Sequence, residues 1–435
     1  MKALPVIVVI LLLTVPVGAG APTGSVSDLS GESATVTTAA SSPQMTPASD
    51  RSDLTGQAGE SAPPSQLENR SAARVLTVPS AQLAQTNLDR QHGDLASAIS
   101  ADVSRVNNRL SSVAVREQIR SAPDSDEREI RTLDAVTQIE QAEVSLNRRQ
   151  RDAITAHSQG ELTDRELFAE MGMIALRANA LRDRLNTLRP FTEEYGLEPR
   201  RLALEFRLQT YDGPVRSHAQ RVVRGETGLQ AFYVETGGES MTLAALVGDQ
   251  YVRESFRGDR WDRSGTTFES LREAENATQE AYPATWDSQT DRESTGAGTV
   301  YRVGITHPRG SLTTFVGTGS ERVFKEHQRL DLAELTPDTT RTVIEEGLQA
   351  TVNRSYRGGP ARVTVRDSET GDPIEGVVVT VGIGAESTAV GQTDADGMVW
   401  TLEPGQTYRI QGVADGPSVV RVDEITPTKP SPTAD

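Results

Sequence analysis

The residues with the widest chemical repertoire are spread out. The five histidines, His92, His157, His218, His307 and His327, are dispersed, and none has an i, i+4 histidine partner that would put two metal ligands on one helix face. There is no cysteine, so no thiolate nucleophile, zinc–thiolate centre or disulfide can form. The sequence holds no Gly-x-Ser-x-Gly elbow, no His-Glu-x-x-His, no phosphate loop and no dinucleotide fingerprint. What remains is oxygen chemistry. Asp394-Ala-Asp396-Gly397 has the first ligands of a calcium loop but lacks the third oxygen ligand and the distal glutamate, which favours a turn between two strands. Paired-carboxylate hydrolysis needs two acids held across a cleft, and Glu254 and Asp259 are the candidates for it. Arg257-Gly-Asp259 matches a cell-attachment tripeptide and reads as a turn beside Trp261. Asn69, Asn276 and Asn353 each begin an Asn-x-Ser/Thr triplet and are glycosylation candidates. This inventory assigns no catalytic, cofactor-binding or metal residue and calls for no cofactor.

The chain carries 61 acidic against 44 basic residues, a net charge of −17. Lysine occurs at Lys2, Lys325 and Lys429, and the other 41 basic residues are arginine. A dense negative shell repels itself in dilute buffer and is screened in multimolar salt, where the Debye length falls below about 3 Å. This balance resembles that of haloarchaeal proteins. It also excludes a phosphate-backbone binder, which needs clustered Lys and Arg.

Met1-Lys2 precedes the apolar run Ala3–Val17 and the small residues Gly18-Ala-Gly-Ala21, the layout of a secretory signal peptide over residues 1–21, with an uncleaved anchor as the alternative. Residues 22–79 form a Ser/Thr/Ala/Pro linker too poor in large apolar residues to offset ordering entropy. The expected location is extracellular or at the cell surface.

Residues 80–195 predict a helical bundle. Ile99, Val103, Val106, Leu110 and Val113 repeat at coiled-coil spacing, as do Leu167, Met171, Ile174, Ala178, Leu181, Leu185 and Leu188. Thr163-Asp-Arg-Glu166 is a capping box for the last helix. Residues 200–335 predict an α+β domain with an antiparallel sheet. Its strands are Leu202–Leu208, a hairpin turning at Gly248-Asp249, and a second hairpin turning at Pro308-Arg-Gly310. That second hairpin resembles exported PepSY-type modules. Residues 340–360 predict a short helix and a linker.

Residues 361–423 alternate at period two through Val363, Val365, Val377, Val379, Val381, Met398, Trp400, Leu402, Tyr408 and Ile410, with Gly and Pro turns between, and predict a small β-sandwich. The Asp372-Pro-Ile-Glu-Gly376, Thr393-Asp-Ala-Asp-Gly397 and Pro404-Gly405 motifs resemble the carboxypeptidase-regulatory/prealbumin-like family, which implies a non-catalytic accessory domain. Residues 424–435 read as a disordered tail. The fold class is therefore multidomain α+β: an N-terminal helical bundle, a middle α+β domain and a C-terminal sandwich. Taken whole, this architecture resembles a haloarchaeal family of exported proteins of unknown function.

The expected role is that of a non-enzymatic envelope structural or interaction protein, with an envelope protein or surface ligand as partner and no nucleic acid. Membrane contact would come only through an uncleaved N-terminal segment. The alternatives are a ligand- or peptidase-binding regulatory module and a carboxylate-dependent hydrolase.

Overall fold

Alternating apolar positions and glycine turns build most of the second half of the chain, and helices most of the first. The computed structural model describes residues 74–91, 95–227, 230–416 and 418–433; the signal segment and most of the linker lie outside them. In chain order the elements begin with β1 (Gln85–Gln91), α1 (Leu95–Arg120), α2 (Ser125–Ser158), α3 (Asp164–Thr187), α4 (Arg189–Glu194), α5 (Glu198–Gln209) and α6 (Pro214–Val223). Then come β2 (Gln230–Gly237), β3 (Ser240–Val247), β4 (Gln250–Phe256), α7 (Leu271–Ala281), α8 (Pro283–Asp287), β5 (Asp291–Ala297), β6 (Val300–His307), β7 (Gly310–Gly317) and β8 (Arg322–Asp331). The last eight strands are β9 (Thr339–Glu345), β10 (Leu348–Arg354), β11 (Pro360–Asp367), β12 (Val378–Ile383), β13 (Glu386–Gln392), β14 (Met398–Leu402), β15 (Tyr408–Val413) and β16 (Val419–Ile425).

The central element is an eight-stranded antiparallel sheet in the order β1-β2-β3-β4-β8-β7-β6-β5. Successive side chains point to opposite faces, and both faces are buried. Phe232, Val234, Met241, Leu243, Val252 and Phe256 face the helices. Tyr301, Val303, Ile305 and Leu312 face the other way, against Ala274 and Ala281 of α7. Two four-stranded sheets, β14-β11-β10-β9 and β13-β12-β15-β16, form the sandwich, closed over Val352, Val363, Val379, Ile410 and Val422.

The helices do not close a core of their own. Leu167, Met171, Ile174, Ala178 and Leu185 of α3 are fully buried in one cluster with the sheet, and the Phe168 and Phe232 rings stack at 4.2 Å. The Thr163–Glu166 capping box is formed. The seam on α1 ends differently: Val103, Val106, Leu110 and Val113 are 53–64% exposed, and among the described side chains of the helix burial comes near its end, at Ile119. The side chain of Ile99 lies outside the described residues.

Several expectations are corrected. Leu202–Leu208 is helical, within α5, where Pro199 starts the helix and Arg201 pairs with Glu198 and Glu205 at helical spacing. The short helix expected near residues 340–350 is the β9–β10 hairpin, turned at Glu346-Gly347 with both φ values positive (47° and 80°). The β-branched residues Thr339, Thr340, Thr342, Val343 and Ile344 suit a strand better than a helix. Gln85–Gln91, placed in the bundle, is an edge strand paired with β2.

The described parts of both flanks expected to be disordered, residues 74–79 and 424–433, pack. Val75, Leu76 and Val78 are buried, and Val75 bridges Pro432 in parallel. The short apolar run Val75-Leu76 is enough to seat the segment once the tail supplies hydrogen bonds.

The two seams should respond differently to truncation. Leu185→Ala is expected to cost about 2–5 kcal/mol, and Leu110→Ala to stay within about 0.5 kcal/mol. Denaturant unfolding in high salt measures both, and equal losses would contradict the burial seen for α3 and α1.

Candidate functional site

The sheet face opposite the helices carries the sandwich. Tyr233, Ala244, Tyr251, Leu332 and Leu402 form a buried cluster across the junction, with Leu246 and Trp400 packed on it. The turn between β10 and β11 makes the polar contacts. Tyr251 Oη donates to the Gly358 carbonyl at 3.0 Å, and Arg357 Nη2 donates to Glu235 Oε1 at 3.2 Å. Glu235 also accepts from Tyr233 Oη at 2.7 Å. Gly358 has φ +73°, and a Cβ there would stand 2.5 Å from the Tyr233 ring; both backbone and space require glycine.

Beside this contact lies a cleft of about 210 Å³, lined by sheet residues such as His307 and Gln328, by Arg309 of the β6–β7 turn, by Asp338, Arg354, Tyr356 and Arg362, and by Trp400. The Arg362 guanidinium sits over the Trp400 ring at 5.6 Å. Arg354 Nη1 donates to Glu403 Oε1 at 2.9 Å. Burial pushes the Glu403 carboxyl up to about 7, against the pull of Arg354. Burial raises Asp338, and burial followed by Arg309 lowers His307. Arg74 and Lys429 add cationic groups from the two flanks of the described chain. Such a wall suits binding of an anionic or planar group.

The sequence-predicted residues fall elsewhere. Glu254 is buried and accepts from Arg216 Nε at 2.8 Å. Asp259 is held by both nitrogens of the Arg257 fork, at 2.8 and 2.6 Å. Each acid is thus tied to an arginine of its own. Arg257-Gly-Asp259 enters a 3-10 turn with Arg257 buried, and Trp261 packs against Phe324. His157 bridges Thr236 and Asp164, both at 2.7 Å. His218 Nδ1 lies 3.1 Å from Arg221 Nη2. His92 lies outside the described residues.

Asp394 Oδ1 accepts from the backbone of Asp396 and Met398, at 3.0 and 2.9 Å, which is turn chemistry. Among the described residues no group of three His, Asp or Glu could hold a metal. Asn69 lies outside them. Asn276 is exposed on α7, but the Thr278 hydroxyl is buried and donates to Ala274 O at 2.9 Å. Asn353, expected in a linker, lies in β10 and accepts from Thr340 Oγ1 at 2.9 Å.

Sequence reasoning missed the ionic cluster beneath the α5–α6 turn. Lys325 is fully buried and donates from Nζ to the carbonyls of Thr210 (2.6 Å) and Asp212 (2.7 Å). Gly213 lets this turn approach: a Cβ there would fall 1.6 Å from Glu254 Oε2. The available signal was a lysine in mid-strand in a chain that has only three.

N-terminal helices on one face of an antiparallel sheet, with α7 and an immunoglobulin/fibronectin-like sandwich on the other, define a multidomain α+β protein with a C-terminal β-sandwich. The chain belongs to the family described as "Domain of unknown function (DUF7096)", which matches residues 1–228. Residues 232–336 match "Family of unknown function (DUF7094)", where the second hairpin resembled a PepSY-type module. Residues 339–422 match the "Archaeal fibronectin-III type-like domain", in place of the prealbumin-like label; this match takes in the β9–β10 hairpin. No curated protein matches the chain, and no solved structure does.

Lys325 gives a pH prediction. Burial first, then Arg216, lowers its pKa from 10.5 to about 7, against Glu254 and Asp212. Between pH 7 and 10.5 the unfolded chain therefore binds more protons than the folded one. Stability rises with pH through that window, and the full penalty applies below it. Relative to Lys325→Met, the wild type should gain stability as pH rises through this range. Parallel melting curves for the two proteins would contradict the burial cost.

Proposed function

We propose that this is an exported, non-enzymatic structural or interaction protein of a haloarchaeal envelope, and that the cleft between sheet and sandwich is its contact surface for an envelope protein or surface ligand. The observation that carries this reading is the fixed seating of the fibronectin-like sandwich. The β10–β11 turn bonds to the sheet through Tyr251 and Arg357, and that seating shapes a cationic cleft with an aromatic wall. The apolar run Ala3–Val17 and the Ser/Thr-rich stretch after it support export, and the arginine-for-lysine, acid-rich composition supports a high-salt setting. A second reading, a regulatory module that senses a small anionic ligand, draws on the same cleft.

Two measurements test this. Protease shaving of intact cells should remove the sandwich epitope while cytoplasmic markers survive; protection of the epitope would overturn the envelope assignment. Circular dichroism should show the fold in about 3 M salt and its loss in about 0.1 M, where the acidic shell is unscreened. The same melting point in both would overturn the halophilic part.

A further inference from the structure

On the helix-covered face of the sheet, a polar cavity of about 300 Å³ opens between α3, the α5–α6 turn and strands β6–β8. It is separate from the cleft at the sandwich. Three guanidinium groups line it from three elements: Arg182 of α3, Arg302 of β6 and Arg329 of β8. Strand register accounts for the convergence. Arg302 stands opposite Phe315, His327 opposite Thr313, and Arg329 opposite Ser311. Directly opposed residues share a face, as do alternate residues along a strand. The hydroxyls of Ser311 and Thr313 therefore stand beside the arginines.

The cavity is built but unsatisfied. Nε of Arg182, Nε of Arg302 and Nε2 of His327 are buried without a hydrogen-bond partner. Arg302 Nη2 reaches Glu293 Oε2 at 3.3 Å, on an exposed side chain. Asp212 is the acid of the lining, and its Oδ1 already accepts from Gly213 N at 2.8 Å and Ser217 Oγ at 3.0 Å. Burial, followed by the charges of Lys325, Arg216 and Arg329, holds His327 well below its usual range, so it adds no charge of its own. Three like charges around one recess repel each other, and buried donors left without acceptors are costly. In a chain of net charge −17, such a recess selects an anion.

We propose that this cavity binds a tetrahedral oxyanion, phosphate or sulfate, free or as the terminal group of an ester. A carboxylate is matched by one planar arginine fork, whereas donors arriving from a helix and two strands suit an acceptor with oxygens in several directions. The volume is at the small end of ligand pockets, roughly 300–1,000 Å³.

Isothermal titration of the full chain in concentrated potassium chloride, at constant ionic strength, tests this. The titrants are potassium phosphate, potassium sulfate, glycerol phosphate and, as the planar control, acetate. Saturable binding of phosphate or sulfate is expected, weakened at least tenfold in Arg329→Gln. That side chain is exposed, so an unchanged melting point will show that the fold survives. Arg292→Gln, whose guanidinium lies over Trp286 outside the cavity lining, should bind as the wild type does. Glycerol phosphate binding tighter than phosphate identifies an ester as the ligand; equal binding identifies the free anion. Three results would overturn the proposal: no saturable binding of phosphate or sulfate, equal affinity in Arg329→Gln, or acetate binding as tightly as the tetrahedral anions. Because the cavity is separate from the cleft, any of these leaves the envelope reading untouched.

Discussion

Arg253 and Glu326, on neighbouring strands, form a buried ion pair on the sandwich side of the sheet. Removing charge from water costs several kcal/mol per ion, and the pair is tolerated only when its remaining donors and lone pairs are met. Here the chain itself meets them. Arg253 Nη2 donates to the Leu76 carbonyl, and the Leu76 N–H donates to Glu326 Oε2, both at 2.7 Å. Tyr282, just after α7, donates to the same oxygen at 2.5 Å. One backbone unit and one phenol thus complete the pair, which pins the segment around Leu76 and the end of α7 to the sheet. Removing either charge would strand the other, at a cost of about 3–5 kcal/mol.

The consequence extends to the far end of the chain. With Leu76 fixed, Val75 N donates to Ser431 O at 2.9 Å and Thr433 N donates to Val75 O at 3.1 Å. The Pro-rich tail, lacking several N–H groups of its own, is held as an extended strand-like piece by a segment that is itself held by the ion pair. Arg74 and Lys429 reach the cleft for this reason. A wall of the candidate site is therefore set by an electrostatic requirement inside the sheet, and its residues lie far apart in sequence.

This explains what could be read from the residues alone. The α3 seam, the Thr163 cap, the Gly248 and Gly310 turns and the sandwich strands from Val363 onward follow from local periodicity and turn chemistry, which need no knowledge of partners. Periodicity did not say what a seam packs against. Leu185 and Leu110 belong to equally regular stripes, yet one is buried and the other 64% exposed. For α5, a short apolar run fits either period, and the ion pairs of Arg201 decide it. The two recesses were not legible at all. Lys325, His327 and Arg329 alternate with buried residues, and in sequence that looks like the solvent face of a strand. The helices laid over that face bury Lys325 fully and half-bury His327, while Arg329 further along the strand stays exposed.

A sheet covered on both faces leaves its function to the seams between layers. The acid coat repels anions at long range in dilute solution, but at high ionic strength its field dies within a few ångströms. Discrimination then rests on contacts made inside recesses where water and salt are thinned out, and there an arginine fork retains its strength. The cleft at Trp400 and the cavity at Arg182 and Arg302, whose Nε atoms are buried, are both such places, each set where a covering layer meets the sheet. Lysine is scarce throughout, and the cationic lining of both recesses is almost entirely arginine. Arginine's guanidinium is more weakly hydrated than an ammonium and keeps its charge when partly buried, so it is the basic residue best able to line a seam without giving up its proton, as the buried Lys325 nearly does at neutral pH.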